Sequence, residues 1–374
     1  MDSVLALVYS SEFNPAAYGE LCKVRPDYML PYAGRYRIID FTLSNLTNYD
    51  ISNVILYAGN RMRSTLDHIG DGRSWELNRR RGGLTINPPN FDVKNASEIE
   101  RYFDTLRAFE ESNADYIFVT NPMYINKVDI GDAKEQLKNQ GNDVLIFTKK
   151  TEDKDGFFLN RKIINSNEEG KPYNAGLNLG TSDVFDLFAG SILIKRELFI
   201  KVLRYAEEKN SISNLLNAIF EYPENLDIDF YRVNNQLEIV MDTNSFFDSN
   251  IKLLDREYFD NLFYNDGLVY TKSKDEPSTS YTKESKVKNS LIANGAIIEG
   301  EVENSIIFRG VQVKKGAVIK NSIIFQDSII GEDSILNFVI TEKGTHVGKN
   351  VKLFGNRSHP FVSSKNEVLE DWSY

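Results

Sequence analysis

Few side chains in this sequence are of a type that performs chemistry, and they are unevenly spread. There are three histidines, His68, His346 and His359, and one cysteine, Cys22. A histidine lodged between repeated coils can act as a general base, as in coil-built acyltransferases. Only His346 lies in the repetitive C-terminal part, and a surface or capping role fits it better. The densest basic run is Arg79-Arg80-Arg81, followed by Gly82-Gly83. Such a run is either a solvated loop or a phosphate-binding loop facing a neighbouring chain. Residues 168–172, Glu-Glu-Gly-Lys-Pro, read as a solvated loop. The most specific stretch is residues 31–45, Pro-Tyr-Ala-Gly-Arg-Tyr-Arg-Ile-Ile-Asp-Phe-Thr-Leu-Ser-Asn. Taken by itself it describes a strand edge running into a helix, with Asp40 as a cap.

Composition narrows the function classes. The 374 residues suffice for two domains with cores of their own, and 41% of them are aliphatic or aromatic. One cysteine excludes an internal disulfide framework and points to a reducing, cytoplasmic setting. The formal charge of −10 argues against nonspecific nucleic-acid binding. Residues 1–5 lack the basic start of a signal peptide. No apolar run reaches the roughly 18 to 20 residues of a membrane span.

The elements that must position any site fall into two zones. Apolar runs at 4–8, 53–57, 116–119 and 143–147 read as strands buried on both faces. Between them, Ile99, Phe103, Leu106 and Phe109 form one helical stripe over residues 99–111. This alternation predicts an α/β, Rossmann-like domain with a mainly parallel sheet, which binds ligands beyond the C-terminal ends of its strands. Residues 245–254 read as its closing helix. The domain is expected over 1–255, a linker over 256–284 and a second domain over 285–374.

The second domain is a repeat. Asn-Ser-aliphatic-aliphatic recurs at 289–292, 304–307 and 321–324, and residues 337–340 follow in step. An aliphatic residue returns every five or six positions, at Ile292, Ile297, Val302, Ile307, Val313, Val318, Ile324, Ile330, Ile335 and Ile340. Three such steps make one triangular coil with these residues inside and Gly295, Gly300, Gly310, Gly316, Gly331 and Gly344 at corners. The prediction is a left-handed parallel β-helix of hexapeptide type.

Residues 31–45 are very similar to the segment after the nucleotide loop in bacterial ADP-glucose pyrophosphorylases. His68-Ile69, Arg73-Ser74-Trp75 and the β-helix extend the resemblance, which covers roughly residues 3–355, patchily between 80 and 240. It implies a nucleotidyltransferase domain (GT-A-like) joining ATP to glucose 1-phosphate for glycogen or starch. That reaction needs a glycine-rich loop near the triphosphate, an Arg and a Lys on the transferred and leaving phosphates, and two carboxylates on Mg²⁺.

Position by position, those groups are missing. The family's paired glycines fall on Glu12 and Phe13, and Pro15 removes a backbone donor. Its catalytic Arg falls on Ala17 and its Lys on Asp27, a reversal of charge. The first metal-binding Asp falls on Asn121 and the second on Ile239, although a shift of one to three residues would bring in Asp242. Residues 95–98, Asn-Ala-Ser-Glu, replace a segment used near base and sugar.

The resemblance therefore implies a GlgD-type, non-catalytic regulatory subunit. Its expected partner is a catalytic subunit, in a hetero-oligomer that by analogy is a tetramer; Mg²⁺ belongs to that partner and no metal or cofactor is expected in this chain. Lys23 and Arg25 become effector-binding candidates, since the family keeps basic residues near that segment for a sugar-phosphate activator, and Arg79, Arg80 and Arg81 join them. The alternatives are an active nucleotidyltransferase with a rebuilt site and a stand-alone sugar-phosphate or nucleotide sensor.

Overall fold

A computed structural model describes residues 3–10, 14–79, 82–90 and 96–370. Strand Val4–Val8 lies at the centre of the first sheet, parallel to Asn53–Tyr57 on one side and to Tyr116–Thr120 on the other. Gly83–Asn87 extends the parallel side beyond Asn53–Tyr57. These runs are continuous apolar stretches because helices cover both faces.

The sheet is mixed, not mainly parallel as the alternation predicted. The long strand Val184–Lys195 runs antiparallel to Tyr116–Thr120, Val144–Glu152 and Lys162–Ser166. No helix intervenes between residues 144 and 195, and short returns join antiparallel neighbours. The stripe over 99–111 is also broken. Its helix ends at Phe103 and a second begins at Leu106, while Ile99 and Phe109 are both buried.

The closing helix is Thr243–Lys252, and the chain after it is more structured than its polar composition suggested. Arg256–Phe263 is helical, with Leu262 and Phe263 buried. Phe263 meets Phe41 at 5.5 Å between ring centroids. Beyond it, the buried Lys127 ammonium donates to the carbonyls of Asn265 and Gly267, and Ser44 accepts from the Tyr270 N–H at 2.8 Å. The segment is fastened to the first domain at least as far as Tyr270.

From Ser280 the chain coils into three all-parallel sheets, a left-handed parallel β-helix. Its interior differs from the expected column in register. Ile298, Ile319 and Leu336 are fully buried, whereas their neighbours Ile297, Val318 and Ile335 are not. In strands of two or three residues, adjacent side chains point to opposite faces, so a shift of one exchanges inside for outside. The fourth repeat is shifted as well: Ile323 pairs with Ile340 and Ile324 with Thr341, so residues 338–341, not 337–340, continue the motif.

The recurrent motif has a physical basis at each position. Asn289, Asn304 and Asn321 take positive φ, of 42°, 47° and 45°, which asparagine tolerates better than most residues. Ser305 Oγ donates to the Glu303 carbonyl at 2.7 Å and accepts from the Ser322 N–H of the next coil at 3.0 Å. Ser322 repeats this toward Lys320 and Val339. Of the two aliphatic residues, Ile307 and Ile324 fill the coil, while Ile306, Ile323 and Ile340 join the core of the first domain. Phe338 replaces asparagine at the fourth turn, and its ring faces Phe247 of the closing helix at 6.2 Å. Not every glycine corner needs unusual φ. Gly300 does not, but a Cβ there would lie 2.3 Å from the Ala317 carbonyl.

Candidate functional site

The sequence-predicted site positions converge, although they come from four separate parts of the chain. Central strand Val4–Val8 has its later-in-sequence neighbour Asn53–Tyr57 on one side and Tyr116–Thr120 on the other, so the strand order reverses beside it. A crevice beyond the C-terminal ends of such strands is where open α/β sheets bind ligands. Asn121 stands there, its N–H donating to the Gly190 carbonyl at 2.9 Å and its side-chain oxygen accepting from Met123 N–H at 3.0 Å. Ile239 pairs with Tyr124 in a short antiparallel ladder. Ala17 lies in the one-turn helix Pro15–Tyr18, and its carbonyl accepts from Thr243 Oγ1 at 3.3 Å. Tyr18 OH donates to the Val240 carbonyl at 2.8 Å, tying that turn to the residues just before the closing helix.

Asp27 is buried, 2% exposed. Its carboxylate accepts from Ser10 Oγ and from the Tyr28 N–H at 2.8 Å. Burial pushes its carboxyl up to about 6, against the pull of those hydrogen bonds. The position thus holds an internally satisfied acid. Asp242, the alternative to Ile239, is the N-cap of Thr243–Lys252. It accepts from the Ser245 N–H at 2.7 Å and lies 3.5 Å from Arg161. Among the described residues no group of three or more His, Cys, Asp or Glu side chains is placed to hold a metal ion. Glu12 and Phe13 lie outside the described residues.

The effector candidates separate. Lys23 is exposed and paired with Glu20. Arg25 is buried at 5% exposure against the β-helix. It forms a two-pronged ion pair with the fully buried Glu342, one prong at 2.9 Å, and also donates to the Leu21 carbonyl at 3.0 Å. Its guanidinium is committed to holding the two domains together. Arg79 is exposed and donates to the Glu76 carbonyl at 3.1 Å. Arg80 and Arg81 lie outside the described residues. Of the histidines, His68 meets the buried Asp40 at 2.6 Å; the residue before the helix is Arg37 rather than Asp40, which instead accepts from the Arg37 N–H as the third helical residue. His346 is exposed on the outside of its coil, while Val347 beside it points in. Residues 168–172 form a hairpin turn, with Lys171 on Asp229 at 2.6 Å.

Sequence reasoning missed the residues that fill the crevice. Tyr9 follows the central strand, Tyr57 ends its neighbour, and Tyr102 reaches in from the helix Glu98–Phe103. Their ring centroids lie 5.1 to 6.0 Å apart in edge-to-face contacts. Tyr102 OH donates to Glu98 Oε1 at 2.9 Å. Burial, then the Glu98 charge, pushes the Tyr9 hydroxyl up to about 12. Arg101, also buried, donates to the Pro88 carbonyl at 2.8 Å and to those of Ala58 and Asn87. It thereby covers the ends of two strands. The available signal was a tyrosine at the end of two consecutive apolar runs.

An α/β domain with a reversal-point crevice, docked on a hexapeptide β-helix, defines the class. A family described as GlmU-like, C-terminal hexapeptide matches residues 277–359. Over the longer span, the chain is 32% identical to glycogen biosynthesis protein GlgD of Bacillus subtilis across 342 residues, 91% of this chain and 89% of that protein. A GlgD of Geobacillus stearothermophilus is likewise 32% identical, across 77% of this chain and 75% of its own length. Glucose-1-phosphate adenylyltransferase of the same organism is 29% identical over 77% of this chain and 76% of its own length. The chain belongs to the GlgD family of glycogen biosynthesis proteins.

Proposed function

We propose that this chain is a regulatory, largely non-catalytic subunit of a glucose-1-phosphate adenylyltransferase, the enzyme that makes ADP-glucose and pyrophosphate from ATP and glucose 1-phosphate. Its place is in a cytoplasmic hetero-oligomer, a mixed tetramer with a catalytic homologue that carries the Mg²⁺. The observation that carries the reading is the state of Asp27. Where the reaction calls for a cation against the phosphates, there is a buried carboxyl already hydrogen-bonded to Ser10 and Tyr28. Ala17, Asn121 and Ile239 supply neither the second cation nor a pair of metal-binding carboxylates. Removing one such electrostatic group costs on the order of 10²- to 10³-fold in rate. In this reading Lys23, Arg79, Arg80 and Arg81 are effector-binding candidates, while Arg25 serves the domain interface.

The test is ADP-glucose formation by the purified chain, prepared from cells lacking any catalytic homologue. The expected result is no measurable product. Turnover within about tenfold of an intact family member would overturn the reading, since missing charges of this kind cost far more than tenfold. Adding back Ala17→Arg, Asp27→Lys or Asn121→Asp singly is expected to restore nothing, because groups that act as a unit are not additive.

A further inference from the structure

The reversal-point crevice lies between the C-terminal ends of Val4–Val8 and Tyr116–Thr120, and its described lining draws on several elements. Tyr9 enters from the first strand and donates its N–H to the Thr120 carbonyl at 3.1 Å, closing the gap between the two strands at the backbone. Asn121 and Gly190 close the far side. The helix Glu98–Phe103 lies across the opening. Ser97 and Glu100 fix its start through a reciprocal pair of hydrogen bonds at 3.2 and 2.6 Å. That helix delivers the Tyr102 ring, which is fully buried, and Glu98. The cavity left among Tyr9, Glu98, Tyr102, Asn121, Lys162 and Asn214 measures about 30 Å³. Pockets that take small-molecule ligands are roughly 300 to 1,000 Å³, and about 10 to 15 Å³ holds one water.

We propose that Tyr9 and Tyr102 are a built-in plug, which leaves no room for a nucleoside triphosphate between the described walls of this crevice. The proposal deepens the non-catalytic reading and rests on it. That reading concerns missing charges, whereas this one concerns missing room. The plug is held from several directions. Tyr102 OH is bound by Glu98, the Tyr57 ring packs on both other rings, and Arg101 lies 5.6 Å over the Tyr57 ring while bonding the strand-end carbonyls. Opening the crevice requires breaking these contacts together.

Hydrogen exchange and equilibrium dialysis on the full chain, with Mg–ATP raised to about 5 mM, test this. Exchange in residues 4–10, 96–104 and 116–124 is expected to stay unchanged by nucleotide, with no saturable binding attributable to those segments. Saturable binding that protects them overturns the plug. If such binding comes without turnover, the non-catalytic reading survives; if turnover accompanies it, both fall. Protection confined to other segments agrees with a closed crevice. Two variants supply a positive readout. In Tyr9→Ala/Tyr102→Ala, exchange in the same segments should rise and the melting temperature fall, while Tyr102→Phe, which keeps the ring, should change both far less. A double-alanine chain whose exchange and melting match the wild type would show that the rings do not fill the crevice.

Discussion

The β-helix and the crevice both bury polar groups, and they satisfy them in opposite ways. In the β-helix the repeated serines are answered from one coil away: Ser305 accepts from the Ser322 N–H, and Ser322 from the Val339 N–H. In the crevice every partner is different: Asp27 has Ser10 and Tyr28, Tyr102 has Glu98, and Asn121 has Gly190 and Met123. A periodic solution is built from one residue type used repeatedly, so an error in one coil is local. A unique solution depends on each of its members. Where the β-helix meets the first domain, Arg25 and Glu342 form a unique buried pair beside the apolar Ile306, Ile323 and Ile340.

The largest expected effect attacks the periodic side. Ile324 is fully buried inside the coil, and Ile324→Asp places an unpaired carboxylate there. The cost should be roughly 5 kcal/mol, combining lost aliphatic burial with an unsatisfied acid. Chemical denaturation followed by circular dichroism reads it, and a loss below about 1 kcal/mol would mean that the coil interior is wet or plastic.

Next comes the junction. Arg25→Met or Glu342→Met alone leaves one buried charge unpaired and should cost about 3 to 5 kcal/mol. The double variant should recover most of that, because two apolar side chains pack as well as a desolvated ion pair. A double-mutant cycle that is simply additive would sink the assignment of Arg25 to the interface and return it to the effector candidates.

Asp27 gives a smaller effect with a diagnostic pH dependence. Its folded pKa, near 6, lies above the ordinary 3.8, so the folded protein holds that proton more tightly than the unfolded chain. The contribution is favourable below pH 4 and is lost as pH rises through 6, leaving the ionised side chain a liability at neutral pH. Asp27→Asn should therefore match the wild type at acid pH and exceed it by roughly 2 to 3 kcal/mol above pH 7. Denaturation midpoints for both proteins across pH 4 to 8 check the sign. A variant less stable than wild type at pH 8 would show that the carboxylate is held ionised by a partner.

The smallest effect is expected from the Asn ladder. Asn304 adopts positive φ and accepts from Asn289 Nδ2 at 2.8 Å at the surface. Asn304→Ala should cost about 1 to 2 kcal/mol, chiefly from the left-handed backbone, and Asn304→Gly less. The order reversed would place the ladder hydrogen bond above the backbone term.

These differences also explain what could be read from the sequence. The coils were legible because their chemistry repeats; even so, the inward register was read one residue off at Ile297, Val318 and Ile335, since strands of two or three residues carry too little alternation to fix it. The docking face was invisible for a related reason: Ile306 and Ile323 look like interior residues, and only the presence of the first domain makes the outside of that sheet apolar. In the α/β domain the buried strands were legible from their apolar runs, while Ala17, Asn121 and Ile239 were singled out only through resemblance. The plug was not, because Tyr9, Tyr57 and Tyr102 are far apart in sequence and follow no period. Glu342 was hidden too, for a lone acid in a polar turn gives no sign that it will be buried.

The central claim is that this chain acts through a catalytic homologue and not by its own chemistry. The direct measurement is ADP-glucose formation by that homologue, titrated with this chain, with light scattering recording the complexes formed. The account predicts that mixed oligomers form and that the homologue's rate or its response to sugar-phosphate effectors changes saturably with the added chain, while the chain alone stays inactive. Unchanged kinetics with no mixed species, or activity belonging to the added chain itself, would contradict it.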